Sequence, residues 1–153
     1  MTPKPNMIAF ESFEPGQERS FGAYDVTEAE IIEFAGKYDP QFFHLDAEAA
    51  KHSLFGGLCA SGWHTCAMTM AMLVKNMEKT GNSLGSPGVD ELRWLKPVYP
   101  GETLSVRMLV IDTIPSKSRP EIGVVVQKVT VVNQDATPVM SFISKGMYAR
   151  SAA

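Results

Sequence analysis

The sequence predicts an α+β domain in which one antiparallel sheet wraps around a long central α-helix. Three observations carry this reading. Residues 58–77, LCASGWHTCAMTMAMLVKNM, hold no charge from 58 to 74 apart from the protonatable His64, and apolar residues fall on every side. A helix that is apolar all round is expected to be buried on all sides. This one is too short, and too rich in Ser, Thr and His, to span a bilayer. Strand-like runs then follow at 89–95, 103–111, 122–132 and 139–149, joined by short links that favour antiparallel neighbours. One such sheet covers only part of the helix, so burying the remainder predicts a homodimer.

The elements follow in order. Residues 1–17 carry three prolines and no clear period, which predicts an irregular N-terminal arm with a turn at Pro15-Gly16. The folded domain is expected to span residues 18–150 and to begin with a short strand at 18–24. Thr27 and Glu30 form a capping box, in which Thr27 accepts from the Glu30 amide and Glu30 reaches back. Ile31, Phe34, Ala35 and Tyr38 then repeat at the spacing of a half-buried helix. Pro40 ends that helix and leaves Asp39 in irregular backbone. Asp46 caps a second short helix reaching about His52. Residues 39–45 therefore form a non-helical link with a carboxylate near one end and an imidazole near the other. Gly56-Gly57 gives a flexible approach to the central helix, 61–77, which Ser61 caps. In the run 103–111, Leu104, Val106, Met108 and Val110 alternate with Thr103, Ser105 and Arg107, the period of a strand with one buried face.

Composition narrows the class of function. The chain has 153 residues, enough for one domain with a substantial core. Hydrophobic residues make up 44% and charged residues 20%, an ordinary globular balance. A net charge of −3 gives no general attraction to nucleic acid or acidic membranes, so an anionic ligand needs a local basic patch. Cys59 and Cys66 sit in or beside the apolar segment and form no metal spacing. Three dispersed histidines give no metal signature either. Two buried thiols and a start without an apolar core or cleavage site point to a reducing cytoplasm.

The candidate chemistry lies just before and at the start of the central helix. A carboxylate and an imidazole that hold one water can move protons in both directions, and histidine titrates near neutral pH. Asp39 and His44 are five positions apart in a link able to bring them together. The alternative is that Asp39 caps a backbone amide and His44 packs in a loop. Gly62 opens the helix, where the first amides lack internal partners and carry partial positive charge. With no side chain, Gly62 lets a ligand approach its amide, which suits the oxygen of a polarised carbonyl or an enolate. The alternative is that Ser61 only caps and Gly62 only permits close packing. Ser61, Trp63, His64 and Phe43 are further substrate-binding candidates, although His64 also fits a hydrogen-bonded core histidine. Arg93, Lys96, Lys117 and Arg119 are cations that can meet phosphates or simply be solvated.

Three motifs resemble the MaoC-like dehydratases: YDPQFFHLD at 38–46, FGGLCASGWHT at 55–65 and LRWLKPVYPGETL at 92–104. Their order and spacing cover roughly residues 20–150. The resemblance implies the hot-dog fold, with 61–77 as its helix, and the activity of R-specific enoyl-CoA hydratases. Water would add across an α,β-unsaturated acyl thioester to give a β-hydroxyacyl product, and dehydration would be the reverse. Asp39 and His44 match the pair that holds and activates the water. Gly62 matches the glycine whose amide binds the thioester carbonyl. The resemblance further implies no cofactor beyond the coenzyme A of the substrate, an acyl-CoA or acyl-carrier-protein thioester as partner, and dimers with sites near the subunit interface. Two departures stand out. The hydratases typically read Asp-x-Asn-Pro-aliphatic-His, whereas this chain reads Asp39-Pro40-Gln41-Phe42-Phe43-His44. They usually carry His-Gly at the helix start, where this chain has Ser61-Gly62.

Two other functions fit the same fold. A hot-dog thioesterase commonly uses a carboxylate from the central helix, and residues 61–77 offer none. A non-catalytic acyl-thioester binding protein is the other, kept open by the altered link around Pro40.

Overall fold

Four strands after the long helix and one before it pair into a single antiparallel sheet. The computed structural model describes residues 5–151. After a 3-10 turn at Phe10–Ser12 come β1 (Glu18–Asp25), α1 (Glu28–Tyr38), α2 (Phe42–Leu45), α3 (Ala47–Ala50) and α4 (Gly62–Thr80). The remaining elements are β2 (Val89–Trp94), β3 (Thr103–Pro115), β4 (Ile122–Val132) and β5 (Pro138–Ala149). The strand order is β1-β3-β4-β5-β2, with every pair antiparallel.

The alternation expected in β3 is present. Leu104, Val106 and Met108 are buried in the core cluster shared with α4, and Val110 is buried in a second cluster toward the end of the sheet. The 19 residues of α4 make a rod of about 28 Å at 1.5 Å per residue, long enough to cross the sheet. Gly22 marks where β1 bulges against this helix. Its φ is +88°, and a Cβ there would lie 2.6 Å from the sulfur of Met72. Only glycine accepts both the left-handed backbone and the close approach.

The expectation that α4 is buried on all sides is not met within one chain. His64, Thr65, Met68, Thr69 and Met72 form its buried face. Trp63, Met70 and Val74 remain 58%, 55% and 51% exposed on the other. The reason is geometric: one sheet can cover one side of a rod.

Four local expectations also change. The link 39–45 is not wholly irregular, because Phe42–Leu45 forms one helical turn that carries His44. Thr27 accepts from the Glu30 amide as expected, but the Glu30 carboxylate turns inward to Tyr24 and His64 instead of back to the cap. Tyr38 is exposed, so only Ile31 and Ala35 of the helical stripe are fully buried. The described part of the N-terminal arm is more ordered than an irregular segment. Phe10 and Phe13 enter a second apolar cluster with Val110, Val125 and Tyr148 at the far end of the sheet. No helix among the described residues is long and apolar enough to cross a membrane.

Candidate active site

Asp39 and His44 meet because the backbone turns sharply between them. Asp39 closes α1, and its amide still donates to the Ala35 carbonyl. Its φ and ψ of −154° and 68° have left the helical region, as a residue before proline must. The single turn of α2 then points His44 back, with Nε2 3.4 Å from Oδ2 of Asp39. Both side chains are largely shielded, His44 at 7% exposure and Asp39 at 18%.

Each member of the pair is held from behind. The Nδ1 of His44 lies 2.6 Å from the carbonyl oxygen of Cys59. A carbonyl only accepts, so Nδ1 carries a proton and donates, and in the neutral form of the ring Nε2 is then the basic nitrogen. Asp39 accepts from the Ser61 hydroxyl at Oδ2, 2.7 Å away, and from the Gln41 amide at Oδ1, also 2.7 Å. Burial alone would raise the Asp39 pKa. The Ser61 and Gln41 hydrogen bonds and the neighbouring His44 outweigh that and hold it below the ordinary carboxylate value. Asp39 is therefore an anion at neutral pH. Its Oδ2 and, in the neutral ring, the His44 Nε2 are both acceptors, so one water on the cleft side can donate to each.

The start of α4 completes the arrangement. Ser61 is wholly buried and also accepts from the Trp63 amide, so one hydroxyl caps α4 and holds Asp39. The Gly62 amide, first in the helix, has no intrahelical partner. Across Gly62 lies Trp94 from β2. The Trp94 indole Nε1 donates to the Gly62 carbonyl at 2.9 Å, and a Cβ on residue 62 would overlap the indole ring.

These groups open onto a cleft of about 400 Å³. Asp39, His44 and Gly62 line it with Phe43, Phe55, Trp63, Trp94, Lys96 and Val98. Phe43 packs edge-on against both His44 and Phe55. Trp63 meets Trp94 edge-on at 5.2 Å. Apolar walls with a few convergent polar groups are what a small-molecule site requires.

Several sequence candidates fall elsewhere. Ser61 stands behind Asp39 and does not line the cleft. His64 faces away from it: its ring stacks on Phe34 and its Nε2 lies 3.2 Å from Glu30. Burial pushes the His64 pKa down, against the pull of Glu30, so it is the core histidine of the two readings. Arg93 is exposed outside the cleft, its guanidinium on the Leu92 carbonyl. Lys117 and Arg119 lie in the β3–β4 turn, and Arg119 pairs with Glu121. On β5, Met140 faces Trp94 while Ala149 faces Ile122. Nine residues at about 3.3 Å each put that turn about 30 Å from the cleft in the same chain. Lys96 alone of the four cations lines the site. Gln41, the Cys59 carbonyl, Phe55 and Trp94 were not singled out from the sequence. Only Gln41 carried a signal, two positions from Asp39 in the altered link.

One antiparallel sheet packed on one long helix, with Asp39, His44 and Gly62 lining one cleft beside the helix start, defines a hot-dog domain. A family model described as the MaoC like domain matches residues 11–134, and the chain belongs to that family. The crystal structure of the MaoC-like dehydratase from Rhodospirillum rubrum is similar at 40% identity and a TM-score of 0.85, over 95% of this chain and 99% of that one. The R-hydratase PhaJ1 from Pseudomonas aeruginosa shares the fold at a TM-score of 0.73 and 23% identity, over 96% of this chain and 89% of its own. Among curated proteins, the uncharacterized protein YdeM of Bacillus subtilis (strain 168) is 28% identical over 127 residues, 83% of this chain and 89% of that protein.

Proposed function

We propose that this protein hydrates α,β-unsaturated acyl thioesters, or dehydrates the corresponding β-hydroxyacyl thioesters. The observation that carries the reading is the Asp39–His44 contact of 3.4 Å, with the His44 tautomer set by Cys59. A water bridging the two acceptors loses a proton to His44 Nε2 as its oxygen bonds to the β-carbon. The displaced π electrons move onto the thioester oxygen, and the Gly62 amide stabilises that developing enolate. His44 then returns its proton to the α-carbon, so H and OH have been added and the pair is restored. Asp39 remains a carboxylate throughout, orienting the water and stabilising the imidazolium. The cycle calls for no cofactor beyond the thiol carrier of the substrate.

The carrier is coenzyme A or an acyl-carrier protein, with Lys96 at the cleft wall as the cation nearest its phosphates. A second copy of the chain is the expected partner. The exposed outer face of α4 and the exposed β2 edge, with Val89, Trp94 and Leu95, support a homodimer.

The test is loss of enoyl-thioester absorbance over a panel of acyl chain lengths, with wild type and Asp39→Asn side by side. Signal loss with wild type alone supports the proposal. A folded Asp39→Asn protein with full activity, or release of free thiol without change in the double bond, would overturn it.

A further inference from the structure

We infer that Gln41 is a positioning residue that keeps Asp39 from acting as the base, through its side-chain amide on Oδ1. The inference rests on the hydration reading and concerns the same site. Gln41 follows Pro40 in extended backbone with φ and ψ of −91° and 144°, immediately before α2. Its own amide donates to the Asp39 carbonyl at 2.8 Å, which folds residues 39–41 into a tight loop. That loop carries the Gln41 side chain onto the Asp39 carboxylate, where Nε2 donates at 2.7 Å. Ser61 occupies the other oxygen from the opposite side, also at 2.7 Å.

The two donors divide the carboxylate. Oδ2 faces His44 and is tied to α4; Oδ1 is tied to the link itself. A carboxylate that accepts such bonds favours its charged form and becomes a weaker base. The proton from water is thereby directed to His44, and Asp39 cannot rotate its better acceptor geometry away from Nε2. Of these donors, Ser61 is buried and structural, but Gln41 is exposed and lines the cleft. It can therefore be changed without disturbing the core. The other titratable groups around the pair are His44 itself, Cys59 behind it, whose thiol burial pushes up to about 11, and Lys96 across the cleft. Neither Cys59 nor Lys96 hydrogen-bonds Asp39, so the Ser61 and Gln41 donors, together with the neighbouring His44, favour its charged form.

The experiment compares wild type with Gln41→Met, which keeps the length of the side chain and removes the donor, and with Gln41→Glu, which places an anion there. The Asp39 carboxyl carbon is titrated by NMR, and kcat and KM are measured across pH on any enoyl thioester the wild type consumes. Gln41→Met is expected to move the Asp39 titration up by about one pH unit, the size of one lost hydrogen bond to a charged group. The same variant should lower kcat about tenfold while KM stays within about twofold. Gln41→Glu should move the titration up further. An unmoved Asp39 titration in both variants overturns the inference. If the wild type consumes no thioester, the hydration reading fails, and the carboxyl titration alone still decides the role of Gln41.

Discussion

The Nδ1 of His44 and the carbonyl oxygen of Cys59 are 2.6 Å apart, and this contact decides which nitrogen faces Asp39. It makes one substitution unusually informative. Asparagine at position 44 can keep a donor where Nδ1 stands and has nothing where Nε2 stands. His44→Asn is therefore expected to fold with stability within about 1 kcal/mol of wild type, since one neutral hydrogen bond is retained. Its kcat should fall by about 10² to 10⁴, the usual weight of one acid–base group. Denaturant unfolding and enoyl-thioester kinetics on the same preparation separate the two effects.

Gly62 and Trp94 should be energetically coupled. A methyl group on residue 62 would enter the space of the indole ring, so Gly62→Ala is expected to cost about 1–3 kcal/mol by overpacking and to lower activity. Trp94→Leu empties that space at the loss of the bond to the Gly62 carbonyl. In a double-mutant cycle, the Gly62→Ala penalty should shrink markedly in the Trp94→Leu background. Equal penalties in both backgrounds would mean that the contact does not constrain Gly62.

His64 gives a pH dependence whose sign can be worked out. Burial lowers its folded pKa below the ordinary 6.5, so the unfolded chain binds the proton more readily. Stability from this group is full above about pH 6.5 and is lost as pH falls through the lower folded value. Urea unfolding at pH 7.5 and pH 5 should show a larger loss for wild type than for His64→Gln, which has no proton to take up. A loss of the same size in both would remove His64 as the cause.

The N-terminal arm is expected to matter for stability although it lies far from the cleft. Phe10 is buried against Phe13, Val125 and Tyr148. It also covers Gly123, where any Cβ would meet its ring. Phe10→Ala should cost about 3–5 kcal/mol, measured by denaturant midpoint, and leave KM unchanged.

Much of this was legible in the chain because it depends on local chemistry. The period of Leu104, Val106, Met108 and Val110 names its own buried face. Pro40 marks the break that frees Asp39, and Ser61 before Gly62 marks a helix start. The parts that were not legible depend on residues far apart in sequence. Nothing local says that Trp94 will lie on Gly62, or that Glu30 will abandon its own cap for His64, thirty-four positions away. Lys117 and Arg119 read the same as Lys96 in the sequence, and the register of β5 against β2 and β4 is what separates them.

Trp94 belongs at once to the outermost strand and to the first turn of α4. A force that twists the β2 edge is carried through a single indole to the Gly62 carbonyl, and hence to the peptide next to the amide proposed to bind the thioester. Strand edge and reaction centre are in this sense two ends of one short lever. Thermodynamic linkage makes such a lever work in both directions. If a chain docked on β2 favoured one setting of Trp94, it would change the affinity for a carbonyl ligand at Gly62. That ligand would change the docking affinity by the same factor.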